Sequence, residues 1–253
     1  MDLPERIEAP SRLEPVLFHS LYKAAAAGWR LLAKNEYRAS SVPNCSWELF
    51  YSKIYPEPAP PEEISITRDT FLKTISPDNP VPLIGTMLHE GIQKALGDEI
   101  WFSERRVKHE DPRGFVISGS IDVEYDEEKG VRAVNDIKTM GLKTYEAIIT
   151  GKHSAYSRAK MAKSILQANV YACMAGAKEF TITWMSQADL QYRIDRFKAD
   201  MAIFGMILDK LTKVHKCVKH HQDTGEITKP AIDGIVHCTY CRAYRRNCMG
   251  VKK

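Results

Sequence analysis

The 253-residue chain sets 36 Lys and Arg against 32 Asp and Glu, for a formal net charge of +4, and 44% of its residues are apolar. That balance excludes a polyelectrolyte without a core, no apolar run approaches a membrane span, and the start MDLPERIEAP is unlike a signal peptide. An intracellular protein with one good core is expected, whose six cysteines point to metal binding or burial rather than a secreted disulfide framework.

In chain order, Leu13, Val16, Leu17, Leu21, Ala24, Ala25 and Trp29 recur at helical spacing and predict a helix over Arg12–Asn35. Cys45 then stands just ahead of an aromatic segment with Trp47, Phe50, Tyr51 and Tyr55. The run Pro56, Pro58, Pro60, Pro61 must be loop. The turn PDNPVP precedes a helix over Leu83–Leu96, on which His89 and Gln93 share a face. A strand is expected over Trp101–Lys108.

A β-hairpin follows. The apolar run Phe115–Val123 meets the charged turn Asp126-Glu127-Glu128-Lys129-Gly130, and a second strand begins at Val131. Asp122 lies on the first strand, Asp136 and Lys138 on the second. Side chains alternate along a strand, so Asp136 and Lys138 point to one face. Carboxylates on paired strands can share a divalent cation of the Mg²⁺ or Mn²⁺ type, and a neighbouring lysine can hold water or stabilise developing negative charge. An ordinary exposed hairpin would show the same letters.

A helix over Ser157–Ala175 places Gln167 and Tyr171 on one face, with Lys163 one turn earlier, and a strand over Phe180–Met185 comes next. Strand, strand, helix, strand implies a mixed α/β sheet with the helix as crossover. Leu190, Ile194, Phe197, Met201, Phe204, Leu208 and Leu211 then form an apolar seam that predicts one long helix over Ala188–His215. Charge is uneven. From Lys138 to Lys163 there are six bases and one acid, Glu146, and after Asp233 there is no acid, while Arg242, Arg245, Arg246, Lys252 and Lys253 remain. Such local fields suit a phosphate backbone.

His89 in GTMLHEGIQ, Asp122 in SGSIDV, Asp136 and Lys138 in NDIK, and Gln167 with Tyr171 in ILQANVY stand in the order of a helical His, G-x-x-D, D/E-x-K and Q-x-x-x-Y. The stretch from Gly85 to Tyr171 thereby resembles the RecB-type branch of the PD-(D/E)xK nuclease superfamily. The resemblance implies a restriction-endonuclease-like mixed sheet flanked by helices, and a metal-dependent DNA exonuclease. It assigns metal ligation to His89, Asp122, Asp136 and the backbone carbonyl of Ile137, water activation to Lys138, and orientation of substrate and lysine to Gln167 and Tyr171. Glu104, on the preceding strand, fits a further acidic position more loosely. An imidazole beside two carboxylates softens the site toward Mn²⁺.

The tail HCTYCRAYRRNCMG offers Cys238, Cys241 and Cys248, one thiolate short of four. Nuclease relatives resembling this arrangement, CRISPR-associated exonucleases and AddB-type helicase–nucleases, carry one cysteine before the core and three after it. The resemblance thus implies that Cys45, Cys238, Cys241 and Cys248 hold a [4Fe–4S] cluster. Zinc on His237, Cys238, Cys241 and Cys248 is the competitor, because ligands alone do not separate the two. One integrated domain is expected: a helical segment 1–62, a nuclease core 63–215 and a basic tail 216–253. The substrate expected is DNA with single-stranded or free ends. There is no Walker A motif, so a helicase or integrase would be a separate partner. The alternative is a catalytically silent DNA-binding adaptor with a nuclease fold and structural zinc.

Overall fold

The computed structural model describes residues 33, 35–54, 88–94, 100, 102–128, 130–228 and 230, which all fall in one compact unit. The helix expected over Arg12–Asn35 lies almost wholly outside the described residues. The proline segments, His237, Cys238, Cys241 and Cys248 lie outside them entirely. Among those described, the order is β1 (Glu36–Arg38), α1 (Ser46–Ile54), helical residues 88–94, β2 (Phe102–Glu110), β3 (Val116–Glu128) and β4 (Val131–Met140). Then come α2 (Leu142–Ile149), α3 (Ala155–Ala175), β5 (Glu179–Ser186), β6 (Tyr192–Lys198) and α4 (Met201–Thr224).

The strands form one six-stranded mixed sheet, and β3 is its hub. Antiparallel β2 runs along one edge of β3, from Phe102 opposite Glu124 to Glu110 opposite Val116. The other edge is shared. Parallel β1 pairs only with Val116–Ser118, and antiparallel β4 pairs only from Val123 onward. Between them, residues 119–122 of β3 have no strand beside them on that edge among the described residues. The crossover through α2 and α3 returns β5 parallel to β4, as the sequence predicts, and β6 closes the far edge antiparallel to β5.

Helix α3 begins where Ser154 accepts the Ser157 N–H, and it ends at Gly176, whose φ of 68° suits a residue without a Cβ. Its buried face carries Ser164, Gln167, Ala168, Tyr171, Ala172 and Ala175. Small residues let it approach the sheet closely. Gly119 on β3 shows how close: a Cβ there would stand 2.5 Å from a ring carbon of Tyr171 and 3.0 Å from Ala39 Cβ.

The single long helix expected over Ala188–His215 is not formed. The chain turns at Leu190, which takes a left-handed φ of 61°, runs as strand β6, and starts α4 only at Met201. Three sets of hydrogen bonds decide this. Trp184, fully buried on β5, donates its indole N–H to Asp195 Oδ2 at 2.8 Å, and a helix in place of β6 would strand that donor. Asn169 on α3 both donates to Asp200 O and accepts from Asp200 N, at 3.0 and 2.8 Å. Asp200 in turn caps α4 by accepting from Ala202 and Ile203. Of the expected seam, Phe197 stacks on Phe180 and Ile194 is exposed, while Phe204 and Leu211 join Ile207, Val214 and Val218 in the buried stripe of α4. Helix α1 packs on α4, with Lys210 Nζ bonded to Asn44 O and Phe50 edge-on to His221.

Since Gly119 leaves the space that Tyr171 fills, Gly119→Ala should lower the denaturant midpoint by the equivalent of about 1–3 kcal/mol. An unchanged midpoint would mean that α3 does not depend on this close approach.

Candidate active site

The site occupies the gap in the β3 edge. The β3–β4 ladder stops at Val123 opposite Asn135, and the next strand amide, Ile137 N–H, goes instead to Asp122 Oδ2 at 2.7 Å. The main-chain oxygen of Asp122 is likewise taken by a side chain, Gln93 Nε2 at 2.9 Å. Across β3, the β2 ladder also lapses. Glu104 stands between the Ser103–Val123 and Arg105–Ile121 pairs, opposite Asp122, with a left-handed φ of 52°. Such a conformation is costly for a residue with a Cβ and persists where its surroundings enforce it. Here Ser120 Oγ and Gln93 Nε2 hold the Glu104 carboxylate, at 2.7 and 3.1 Å.

From Asp122 the chain of contacts runs on. Asp136 is 2% exposed, on the face that alternation predicts, and Lys138 Nζ donates to its Oδ1 at 2.8 Å. The other oxygen, Oδ2, is equally close to the ammonium but receives no aligned hydrogen bond. Gln167 Nε2 reaches Asp136 Oδ1 at 3.5 Å and the Tyr171 hydroxyl at 3.4 Å. Asn135, one residue over, points to the opposite face and bonds Thr181 and Thr183. His89, on helical residues 88–94, brings Nδ1 to 3.6 Å from Asp122 Oδ2. Asp122, Asp136, Lys138, Gln167 and Tyr171 therefore form one linked set with His89 at its rim. The described residues hold no trio of His, Cys, Asp and Glu side chains gathered about a common point, because Lys138 and the Ile137 amide already engage the two aspartates.

The electrostatics follow from crowding acids below the surface. Burial, and then the charge of Asp136, raise the proton affinity of Asp122 well above the usual carboxylate range, against the opposing pull of Lys138. Burial and the Lys138 ammonium hold His89 below ordinary imidazole, so it is a neutral donor near pH 7. Burial followed by Asp136 likewise raises Tyr171, keeping its hydroxyl protonated. Such a set can accept a cation at the carboxylates and the imidazole, and present an ammonium and a phenol hydroxyl to an anion.

Gln93 lies outside the motif, and Glu104, which fits it loosely, has a backbone conformation that the motif does not carry. Gln93 shares the His89 face by spacing alone, but nothing in the sequence says that it satisfies the backbone of Asp122. The strained backbone of Glu104 has no letter-level signal. Cys45 is buried at the start of α1, where its Sγ accepts the Glu48 N–H at 3.4 Å.

No protein-family profile matches the sequence, and no curated protein does. Solved structures do. The chain is similar to the protein SSO0001 at 13% identity and a TM-score of 0.58, over 92% of this chain and 96% of that one. It is similar to a phage-related exonuclease from Haemophilus somnus at 12% identity and a TM-score of 0.52, over 79% and 99%. An alkaline exonuclease from Laribacter hongkongensis matches at 16% identity and a TM-score of 0.47, over 82% and 97%. The chain has the RecB-like PD-(D/E)xK nuclease fold.

One consequence needs no substrate. The unfolded chain releases the Asp122 proton near ~3.9 and the folded chain releases it only at higher pH. The stability gained from holding it is therefore full at acid pH and is lost as pH rises through the folded value. Asp122→Asn has no proton to lose. Without divalent cations its denaturation midpoint should overtake the parent's as pH is raised from about 5 to about 8. Parallel pH profiles would show that Asp122 ionises freely in the fold.

Proposed function

We propose that the protein is a metal-dependent deoxyribonuclease, an exonuclease that hydrolyses phosphodiester bonds at single-stranded or free DNA ends. The observation that carries this reading is the set at the open edge of β3, where Lys138, Asp136, Gln167 and Tyr171 are joined by hydrogen bonds and Asp122 holds the Ile137 amide between Asp136 and Lys138. The exonuclease named among the fold neighbours supports it. The donor set fits a divalent cation. Two carboxylates and a neutral imidazole suit Mg²⁺ or Mn²⁺, Asp136 Oδ2 has the Lys138 ammonium beside it but no aligned donor, and a cation would relieve the mutual repulsion that burdens Asp122. His89, Asp122, Asp136 and the Ile137 carbonyl are its proposed ligands. Bound there, the cation supplies Lewis acidity toward water and neutralises charge on the phosphate.

The side chains divide the remaining work. Lys138, freed from Asp136 when that carboxylate turns to a cation, presents its ammonium to water or to a non-bridging phosphate oxygen. Gln167 and the protonated Tyr171 fix the rotamers of Asp136 and Lys138, so the nucleophile and the phosphate meet in one orientation. With Mn²⁺ or Mg²⁺, end-labelled single-stranded DNA should be shortened by the parent, whereas Asp136→Ala and Lys138→Ala should each be slower by about a hundredfold or more. Binding without cleavage by the parent would favour the adaptor reading instead. A helicase or integrase would act as a separate partner.

We also propose that Cys45, Cys238, Cys241 and Cys248 hold a [4Fe–4S] cluster of structural role, with zinc on His237, Cys238, Cys241 and Cys248 as the competing assignment. The position of Cys45 supports a ligand role, because its sulfur stands at the N-terminal end of α1 and accepts the Glu48 N–H. The path is also long enough. Asn44 meets α4 at Lys210, some 14 residues before its end, or about 21 Å along the helix. The 12 residues from Glu226 to His237 can span up to about 40 Å if extended. Anaerobically purified protein should be brown, with about four iron and four sulfide per chain, and Cys45→Ala should bleach it. Colourless protein with one zinc would overturn the cluster.

A further inference from the structure

Helix α3 continues beyond Gln167 toward its N-terminus, where Lys163 and Lys160 stand. Residues 160, 163, 167 and 171 lie on one stripe of an α-helix, at steps of three, four and four. Tyr171 and Gln167 reach the carboxylates, and the next two members of the stripe are Lys163 and Lys160. Both are half-buried, and neither ammonium has a hydrogen bond or an ion pair among the described residues. Withdrawing an ammonium from water without a counter-ion is unfavourable. Burial and the nearby charge of Lys138 lower the proton affinity of both, and only Glu48, on α1, opposes this at Lys163. Lys163 and Lys160 thus continue, along one stripe of α3, the line of side chains that begins at the buried acids, and both feel the charge of Lys138.

We propose that Lys163 and Lys160 form a phosphate rail, which holds the two backbone phosphates next to the one attacked at Lys138. The inference rests on the nuclease reading and adds to it a path for the strand. On a rise of about 1.5 Å per residue, Lys163 stands about 6 Å and Lys160 about 10 Å along α3 from Gln167. The first step is comparable with the reach of one extended nucleotide. The rail is blind to base identity, as contacts to phosphate are. It needs at least two nucleotides beyond the scissile bond to be filled.

The plainer account is that both lysines lay their stems over apolar surface and keep their charges in water. The two accounts differ in salt dependence. Steady-state cleavage of a short single-stranded oligonucleotide in Mn²⁺ would be followed against salt for the parent, K160Q/K163Q and K160R/K163R, with Lys213→Gln on exposed α4 as control. The rail predicts that K160Q/K163Q raises KM about tenfold or more with kcat within about threefold. It also predicts that the slope of log kcat/KM against log salt flattens by about 1.4, at ~0.7 for each phosphate released. K160R/K163R and Lys213→Gln should keep the parent slope. Substrates with a neutral methylphosphonate at the first or second neighbouring position should penalise the parent and leave K160Q/K163Q no worse. A parent that cleaves, with K160Q/K163Q keeping its KM and slope, overturns the rail and leaves the nuclease reading in place. A parent that cleaves nothing overturns both.

Discussion

The hydrogen bond from Ile137 N–H to Asp122 Oδ2 is the point on which the rest of the site turns. A sheet normally answers each strand amide with a neighbouring carbonyl. Here a carboxylate does so, and β4, which runs on to Met140, leaves β3 after Asn135. The carbonyl of Asp122 is answered by Gln93, so the interruption is satisfied on both sides. This keeps a break in a central strand from leaving buried polar groups without partners. It also opens a slot in which Asp122 and Asp136 face each other instead of being separated by a ladder.

That slot is unfavourable in isolation. Two acids share a buried place, Glu104 adds a third charge from a strained backbone, and α3 covers them with Gln167 and Ser164 where apolar residues would bury more hydrophobic area. The fold compensates elsewhere. Trp184, Ile182 and Phe180 make β5 buried throughout, and the Asn169–Asp200 pair locks α3 to the start of α4. Apolar burial is dense along β5 and where α1 meets α4, while the strained Glu104 stands in β2 beside the acids. Sites that bind ions are commonly built this way, with a rigid frame holding groups that would otherwise separate.

The sequence made the hairpin and the pairing of Asp136 with Lys138 legible, because strand alternation is a strict period of two and both residues lie well inside β4. The G-x-x-D spacing was also readable, and the close packing at Gly119 explains why the first residue has no side chain. The region after Met185 was misread for a physical reason. Leu190, Ile194 and Phe197 have helical spacing, while Tyr192, Ile194 and Phe197 are residue types that favour a strand, so spacing and propensity point different ways. What chose was tertiary: the Trp184 indole needed an acceptor, and Asp200 was both capped to α4 and clamped by Asn169. Asp200, just before an apolar helical run, was the one local sign of the true helix start. Gln93 and Glu104 act through backbone atoms and backbone strain, which residue letters do not encode.

The vertical order of charge ties these levels together. The acids of β3 and β4 lie deepest, with Asp136 wholly covered, and the lysines of β4 and α3 lie above them, half in water. A cation entering such a site lowers the energy of the acids, and an anion entering it lowers that of the lysines. On the proposed reading each would make the other's binding easier, because a cation at Asp136 would release the Lys138 ammonium that now pairs with it. The modest net charge of the whole chain conceals this arrangement. The layering of charge, more than its amount, makes the open edge of β3 suited to a phosphodiester held against a divalent ion.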